Sequence, residues 1–190
     1  RVSGQLPEAE VMAHLAPLLS DSGLKKTGHN LKYDRSVLVA NGYVLNGIAG
    51  DTLLADYLLE PDRNRHKLDD LALRYLGHAM IPITELMDTK DPNATFAEAP
   101  LEKAAVYGAE DAHITWKLDG MLGKRLDEED LRKVYEEVEL PALSVLSEME
   151  LTGIQVDVER TKFDESSGPG RHDPKQGLIA RVPKTVHPGW

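Results

Sequence analysis

Hydrophobic positions recur at helical spacing in several blocks of the chain. In residues 7–20 (PEAEVMAHLAPLLS), Val11, Leu15, Leu18 and Leu19 form such a series, and Pro7 stands where a first-turn proline is tolerated. A short apolar piece at 24–28 reads as a strand. Residues 30–41 (NLKYDRSVLVAN) read as a second helix with Gly42 as its stop. The apolar run 43–49 reads as a second strand. Asp51 and Thr52 then open a helix that runs to Leu59 and closes at Pro61, with Asp51 as its N-cap. This short alternation predicts a βαβ unit and a parallel sheet.

Residues 67–76 are amphipathic, with Leu68, Leu71, Ala72 and Leu76 on one face. The stretch 77–98 carries the breakers Gly77, Pro82 and Pro92 and reads as surface loop. Residues 100–122 give the longest helical pattern, and 127–150 another, whose acidic start (DEED) suits a helix N-terminus. Pro141 should kink or restart that helix. Residues 166–190 are rich in Gly and Pro and show no period, as in a flexible basic tail, a linker remnant or a reading-frame accident.

Composition narrows the class. The chain has 190 residues, 41% hydrophobic and 28% charged, enough to bury a core in one domain, or one and a piece. Aromatics at 5% leave that core to Leu, Val, Ile and Ala. The absence of cysteine excludes disulfides and thiolate zinc sites and fits a reducing cytoplasm. No apolar run approaches the ~18 residues of a membrane span. The chain opens on Arg1, as if cut from something longer. A net charge of −10 argues against gripping duplex DNA by bulk electrostatics, but it permits a metal-dependent nuclease, whose clustered carboxylates are neutralised locally by cations.

Two places concentrate chemistry. Leu31, Asp34 and Leu38 share a helix face, with Asn30 on the same side. A carboxylate in an apolar stripe loses hydration and needs a partner such as a metal, although an Asp near a helix start is also stabilised by the helix dipole. On the long helix, Ala104, Tyr107, Asp111, Ile114, Leu118 and Leu122 keep helical spacing, which aims Asp111 inward. Glu110 falls on a polar stripe with Lys103 and Lys117 and reads as solvated. The seven histidines are scattered, and there is no phosphate-binding Gly-rich loop and no H-E-x-x-H.

These segments resemble family A DNA polymerases of bacteria. GHNLKYDRSVLVANG (28–42) resembles the exonuclease motif built around N-L-K-Y-D, and YGAEDAHIT (107–115) the Y-x-x-x-D motif. GIAGDTLLADYLL (47–59) and RHKLDDLALRYLG (65–77) match in order and spacing, and ELPALSVLSEMELTGIQVD (139–157) resembles the start of the polymerase domain.

The resemblance implies an α/β, ribonuclease H-like 3′–5′ exonuclease fold, a mixed sheet with helices on both sides. It is truncated at its N-terminal strands and followed by a helical start of the polymerase domain. The implied domains are 1–126, a partial exonuclease domain, and 127–157, the polymerase start; 158–190 match nothing. The implied chemistry is two-metal hydrolysis with Mg2+ or Mn2+, Asp34 and Asp111 serving as metal carboxylates and Tyr107 positioning the attacking water. Asn30, Tyr33, Arg65 and His66 are implied to hold the single-stranded 3′ end of DNA. The family's first motif, a D-x-E strand, is absent, so two of four metal carboxylates are missing. The implied partners are the DNA 3′ end and the remainder of the polymerase chain, with no membrane. Two alternatives are a catalytically silent domain serving as a support for a polymerase, and an RNA-trimming exonuclease of the same superfamily.

Overall fold

A computed structural model describes residues 4–91 and 94–154. The tail expected at 166–190 and the last three residues of the stretch 139–157 lie outside those residues. Helix α1 (Glu8–Ser20) leads to strand β1 (Lys26–Gly28), helix α2 (Leu31–Ala40) and strand β2 (Ile48–Asp51). The two strands pair in parallel, with Lys26 opposite Ile48 and Gly28 opposite Asp51, so the expected βαβ unit is present. Helix α3 (Thr52–Leu59) follows directly. A short α4 (Leu68–Leu71) continues as a π-helical turn (Ala72–Leu76), and two 3-10 turns punctuate the stretch expected to be loop. The 28-residue helix α5 (Leu101–Glu128) spans the domain. A single helical turn α6 (Arg132–Val134), a π-helical turn (Tyr135–Glu139) and α7 (Leu140–Thr152) complete the described chain.

Two expectations need correction. The second strand occupies Ile48–Asp51 and not 43–49. Buried Leu45 next to exposed Val44 mimics strand alternation. The backbone there is instead a connection bound to the end of α1, where the Asn46 amide donates to the Leu19 carbonyl at 2.9 Å. It turns at Gly47, whose φ of 70° brings its Cα against the Leu24 carbonyl, so that a side chain would collide with backbone.

The acidic run 127–130 does not start a helix. Asp127 and Glu128 end α5, where negative charge opposes the dipole. Asp130 takes the left-handed conformation (φ 60°) and the Leu131 amide reaches back to the Leu126 carbonyl at 2.8 Å, a Schellman-type stop. The misplaced charges are compensated by arginines: Asp127 pairs with Arg132 and Glu129 with Arg125. Pro141 stands in the first turn of α7, where the π-helical turn Tyr135–Glu139 passes into α-helix.

The main core joins Ala55 and Leu59 of α3, Leu71 and Ala72, the α5 row Ile114, Leu118, Leu122 and Leu126, and Tyr135. A smaller core holds Leu31, Leu45 and Leu143 between α2, β2 and α7. Leu15 and Leu18 of α1 remain exposed.

Asp51 ties these parts together. Its fully buried carboxylate caps α3 through the Leu53 amide at 2.9 Å, as the sequence suggests. It also reaches across to the start of α2, accepting from the amides of Asn30 (3.0 Å) and Leu31 (2.7 Å). The Asp51 amide donates to the Tyr135 hydroxyl at 2.6 Å, and that hydroxyl lies 3.1 Å from the Asp51 carbonyl. Burial pushes the Tyr135 phenol far above its usual range, so it stays protonated and able to donate. Replacing Tyr135 by Phe keeps the ring in the core and strands the Asp51 amide without an acceptor. Tyr135→Phe should therefore cost about 1–3 kcal/mol in urea denaturation, the usual penalty for an orphaned buried donor. A variant as stable as the parent would remove Tyr135 from this role.

Candidate functional site

A cleft of about 900 Å³ opens beside β1. Its floor is Thr27, Gly28, His29 and the start of α2, including Leu31 and Asp34. One wall is α5, which presents Tyr107, Gly108, Asp111, Ala112, Thr115 and Trp116 at spacings of one and four residues, a single helical face. The opposite wall comprises Leu68 and Asp69 of α4 with Met80–Ile83. The fold thus brings Asp34, Tyr107 and Asp111 to one concavity from distant parts of the sequence.

Asp34 sits in the first turn of α2, a helix fixed at its start by the Asp51 carboxylate. Its side chain opens to the cleft, so the face shared with Leu31 and Leu38 is apolar only beside it. Loss of hydration nonetheless raises its carboxyl above the usual range, an effect partly opposed by a backbone hydrogen bond and reinforced by Asp51. Asp111 is half-buried at the seam between the α5 core row and the cleft face. Burial first, and then the neighbouring Glu110, push its carboxyl up to about 6. The Tyr107 phenol is raised by burial and by the nearby carboxylates of Asp111, Asp69 and Glu110, so at neutral pH it is a hydroxyl that can donate. Its ring packs on Phe96, centroids 6.0 Å apart.

The other candidates lie elsewhere. Asn30 stands at the α2 N-cap in the left-handed conformation, its amide bound to Asp51. Tyr33 is half-buried on α2. Arg65 is exposed and pairs with Asp70 at 3.5 Å. The His66 Nδ1 meets the Asp56 carboxylate at 2.7 Å, and its Nε2 lies 3.1 Å from the Arg63 carbonyl. Asp56 is fully buried and also binds Arg74 and the Tyr75 hydroxyl, so His66 belongs to a structural network linking α3 to the π-turn. None of these four lines the cleft.

His29 and Asp69 line the cleft and were not singled out from the sequence. The His29 Nδ1 pairs with the Thr52 hydroxyl at 2.9 Å, and burial lowers its pKa against the pull of Asp51, Asp56 and Asp69, so its ring is neutral at neutral pH. Its place immediately before N-L-K-Y-D was the available signal. Among the described residues, no three His, Asp or Glu side chains cluster as a cation site, and no helix is long and apolar enough to cross a membrane.

A family model described as 3′–5′ exonuclease matches residues 3–127. DNA polymerase I of Pseudomonas aeruginosa is 36% identical over 159 residues, covering 82% of this chain and 17% of the relative. DNA polymerase I of Chloroflexus aurantiacus is 39% identical over 158 residues, covering 82% and 16%. The chain thus spans about a sixth of the length of these curated relatives. Among solved structures, the POL domain of Pol1 from M. smegmatis, in complex with DNA primer-template and dNTP, superposes with a TM-score of 0.68 at 28% identity, covering 87% of this chain and 26% of that one.

The raised Asp111 carboxyl has a sign that can be tested. The folded protein holds this proton more tightly than the unfolded chain does. Its stabilising contribution is therefore complete below the ordinary Asp range and is lost as pH rises through about 6. Asp111→Asn should be more stable than the parent at pH 8 by about 1–2 kcal/mol, reduced from the full linkage value because the group keeps part of its water. The difference should close near pH 4. Urea denaturation at both pH values measures it, and an Asn variant equally destabilised at both would contradict this electrostatic account.

Proposed function

This chain belongs to the 3′–5′ exonuclease family of A-type DNA polymerases, and we propose that it forms most of a proofreading exonuclease domain within a DNA-directed DNA polymerase. In that role it serves replication and repair by hydrolysing the 3′-terminal phosphodiester of single-stranded DNA, beside the remainder of the polymerase chain. Residues 1–126 form the partial exonuclease domain in this reading, and 127–157 begin the polymerase domain. One observation carries the proposal: Asp34, Tyr107 and Asp111 line one cleft.

The cleft residues suit the substrate. Two oxygen donors raised by desolvation favour a hard divalent cation, which would relieve both. Asp34 and Asp111 would hold Mg2+ or Mn2+, and they supply only part of a ligand set. When bound, the cation activates water and stabilises the departing oxygen. The Tyr107 hydroxyl, one helical turn before Asp111 on the same cleft wall, would orient water there. Lys25 at the cleft edge offers positive charge to the phosphate backbone, while Leu68, Met80 and Ile83 give apolar surface for a sugar or base.

The test is degradation of 3′-labelled single-stranded DNA with magnesium or manganese. The 190-residue chain alone should be inactive, because transition-state stabilisation needs ligands held to about 0.5 Å and Asp34 and Asp111 supply only part of a ligand set. A polypeptide extended upstream through a D-x-E strand should be active, and Asp34→Ala or Asp111→Ala should lower its rate by at least about 100-fold, the scale of losing an electrostatic catalytic group. Undiminished digestion by the extended Asp111→Ala protein would refute the assignment.

A further inference from the structure

The wall formed by residues 78–83 is irregular backbone. It begins where the π-turn ends at Gly77, with the His78 amide bound to the Ala72 carbonyl at 3.2 Å. It ends in the 3-10 turn Ile83–Glu85, next to buried Leu86. Between these ends the chain is held from outside. One oxygen of Glu110 lies 2.7 Å from His78 Nε2, and the other accepts the Ile81 amide at 2.8 Å. The Glu110 side chain is only 14% exposed, which overturns its reading as a solvated residue. It does not line the cleft, and both of its oxygens are committed to the back of the wall.

We infer that Glu110 is a positioning residue: it fixes the wall Met80–Ile83 at a set distance from Asp111 and so shapes the seat of the terminal nucleotide. The inference rests on the exonuclease reading. Its physical basis is that Glu110 and Asp111 are adjacent on one turn of α5, a rigid element. One residue faces the wall and the other the cleft, so the same helical turn sets both sides of the seat. Hydrogen bonds to an ionised carboxylate are stronger than neutral ones. Pro82 restricts Ile81 to extended backbone, so anchoring the Ile81 amide also aims Pro82 and Ile83. The wall meets sugar and base, which change little during hydrolysis. Its contribution therefore belongs to substrate binding, equally in ground and transition states.

Kinetics and hydrogen exchange together test this in the natural full-length polypeptide containing the sequence. Glu110→Ala should raise KM for single-stranded DNA about tenfold and leave kcat within about twofold, the signature of lost uniform binding. Glu110→Gln, which keeps an acceptor for the Ile81 amide, should recover most of the loss. His78→Ala, which removes one bond at a half-exposed ring, should shift KM the same way by a smaller factor, and it decides the matter if Glu110→Ala does not fold. Exchange at the Ile81 amide should accelerate in Glu110→Ala, a readout independent of activity. Wild-type KM and an unchanged Ile81 amide in these variants, while Asp111→Ala is inactive, would overturn the inference alone. So would a collapse of kcat in Glu110→Ala that Gln does not restore, since that places Glu110 in the chemistry. Full activity in Asp111→Ala would instead overturn the exonuclease reading, and the kinetic role of Glu110 with it.

Discussion

One buried carboxylate organises this fold. The two oxygens of Asp51 accept amides from the starts of two helices, α2 and α3, that leave neighbouring parallel strands in the same direction. Each helix start has unpaired N–H groups and a positive end, and the carboxylate answers both at once. A buried anion needs such compensation to be tolerated. With it, β1–α2 and β2–α3 become one unit, and Asp34 sits one turn along a helix whose origin is pinned. Replacing Asp51 would release two helix starts together and, through α2, the floor of the cleft.

Around this node the charged residues divide by role. Asp56, Asp127 and Glu129 have arginine partners and hold elements together. Among the described residues, Asp34 and Asp111 have no arginine or lysine paired with them, and desolvation raises both. Perturbed carboxyls converging on a cleft mark a functional site more reliably than carboxyls in ion pairs. The acidic balance of the chain is thus compatible with a polyanionic substrate, because the relevant charges are local and open to neutralisation.

Much of this was legible in the sequence, for identifiable reasons. The βαβ unit follows from alternating elements, and the α3 cap from Asp51 preceding an apolar run. The reach of Asp51 to Asn30 and Leu31 was not legible, because it depends on strand register, which a single sequence does not display. Glu110 was misread because a helical wheel shows which residues share a face, but not that residues 78–83 fold over that face. The run 127–130 was misplaced because carboxylates look alike at either end of a helix. What decides the matter is the left-handed backbone at Asp130, a residue type that tolerates it without announcing it. His66 was matched by its motif, and the fold spends both of its ring nitrogens on Asp56 and Arg63.

The Tyr135 clasp lies beyond the long helix α5, in the segment that resembles the polymerase start, yet it closes on the strand that carries Asp51. A second tie binds the same region: Ser147 of α7 is buried against Arg35 and Ser36 of α2, the helix that bears Asp34. In mechanical terms the junction is a strut and not a hinge. A load applied downstream of Thr152 would reach the cleft floor through α7 and α2 before any linker could absorb it. Rotation of α7 would tilt α2 as a lever about its Asp51 pivot. The aperture between Asp34 and the α5 wall is therefore geared to the position of α7 through Ser147, Arg35 and Ser36.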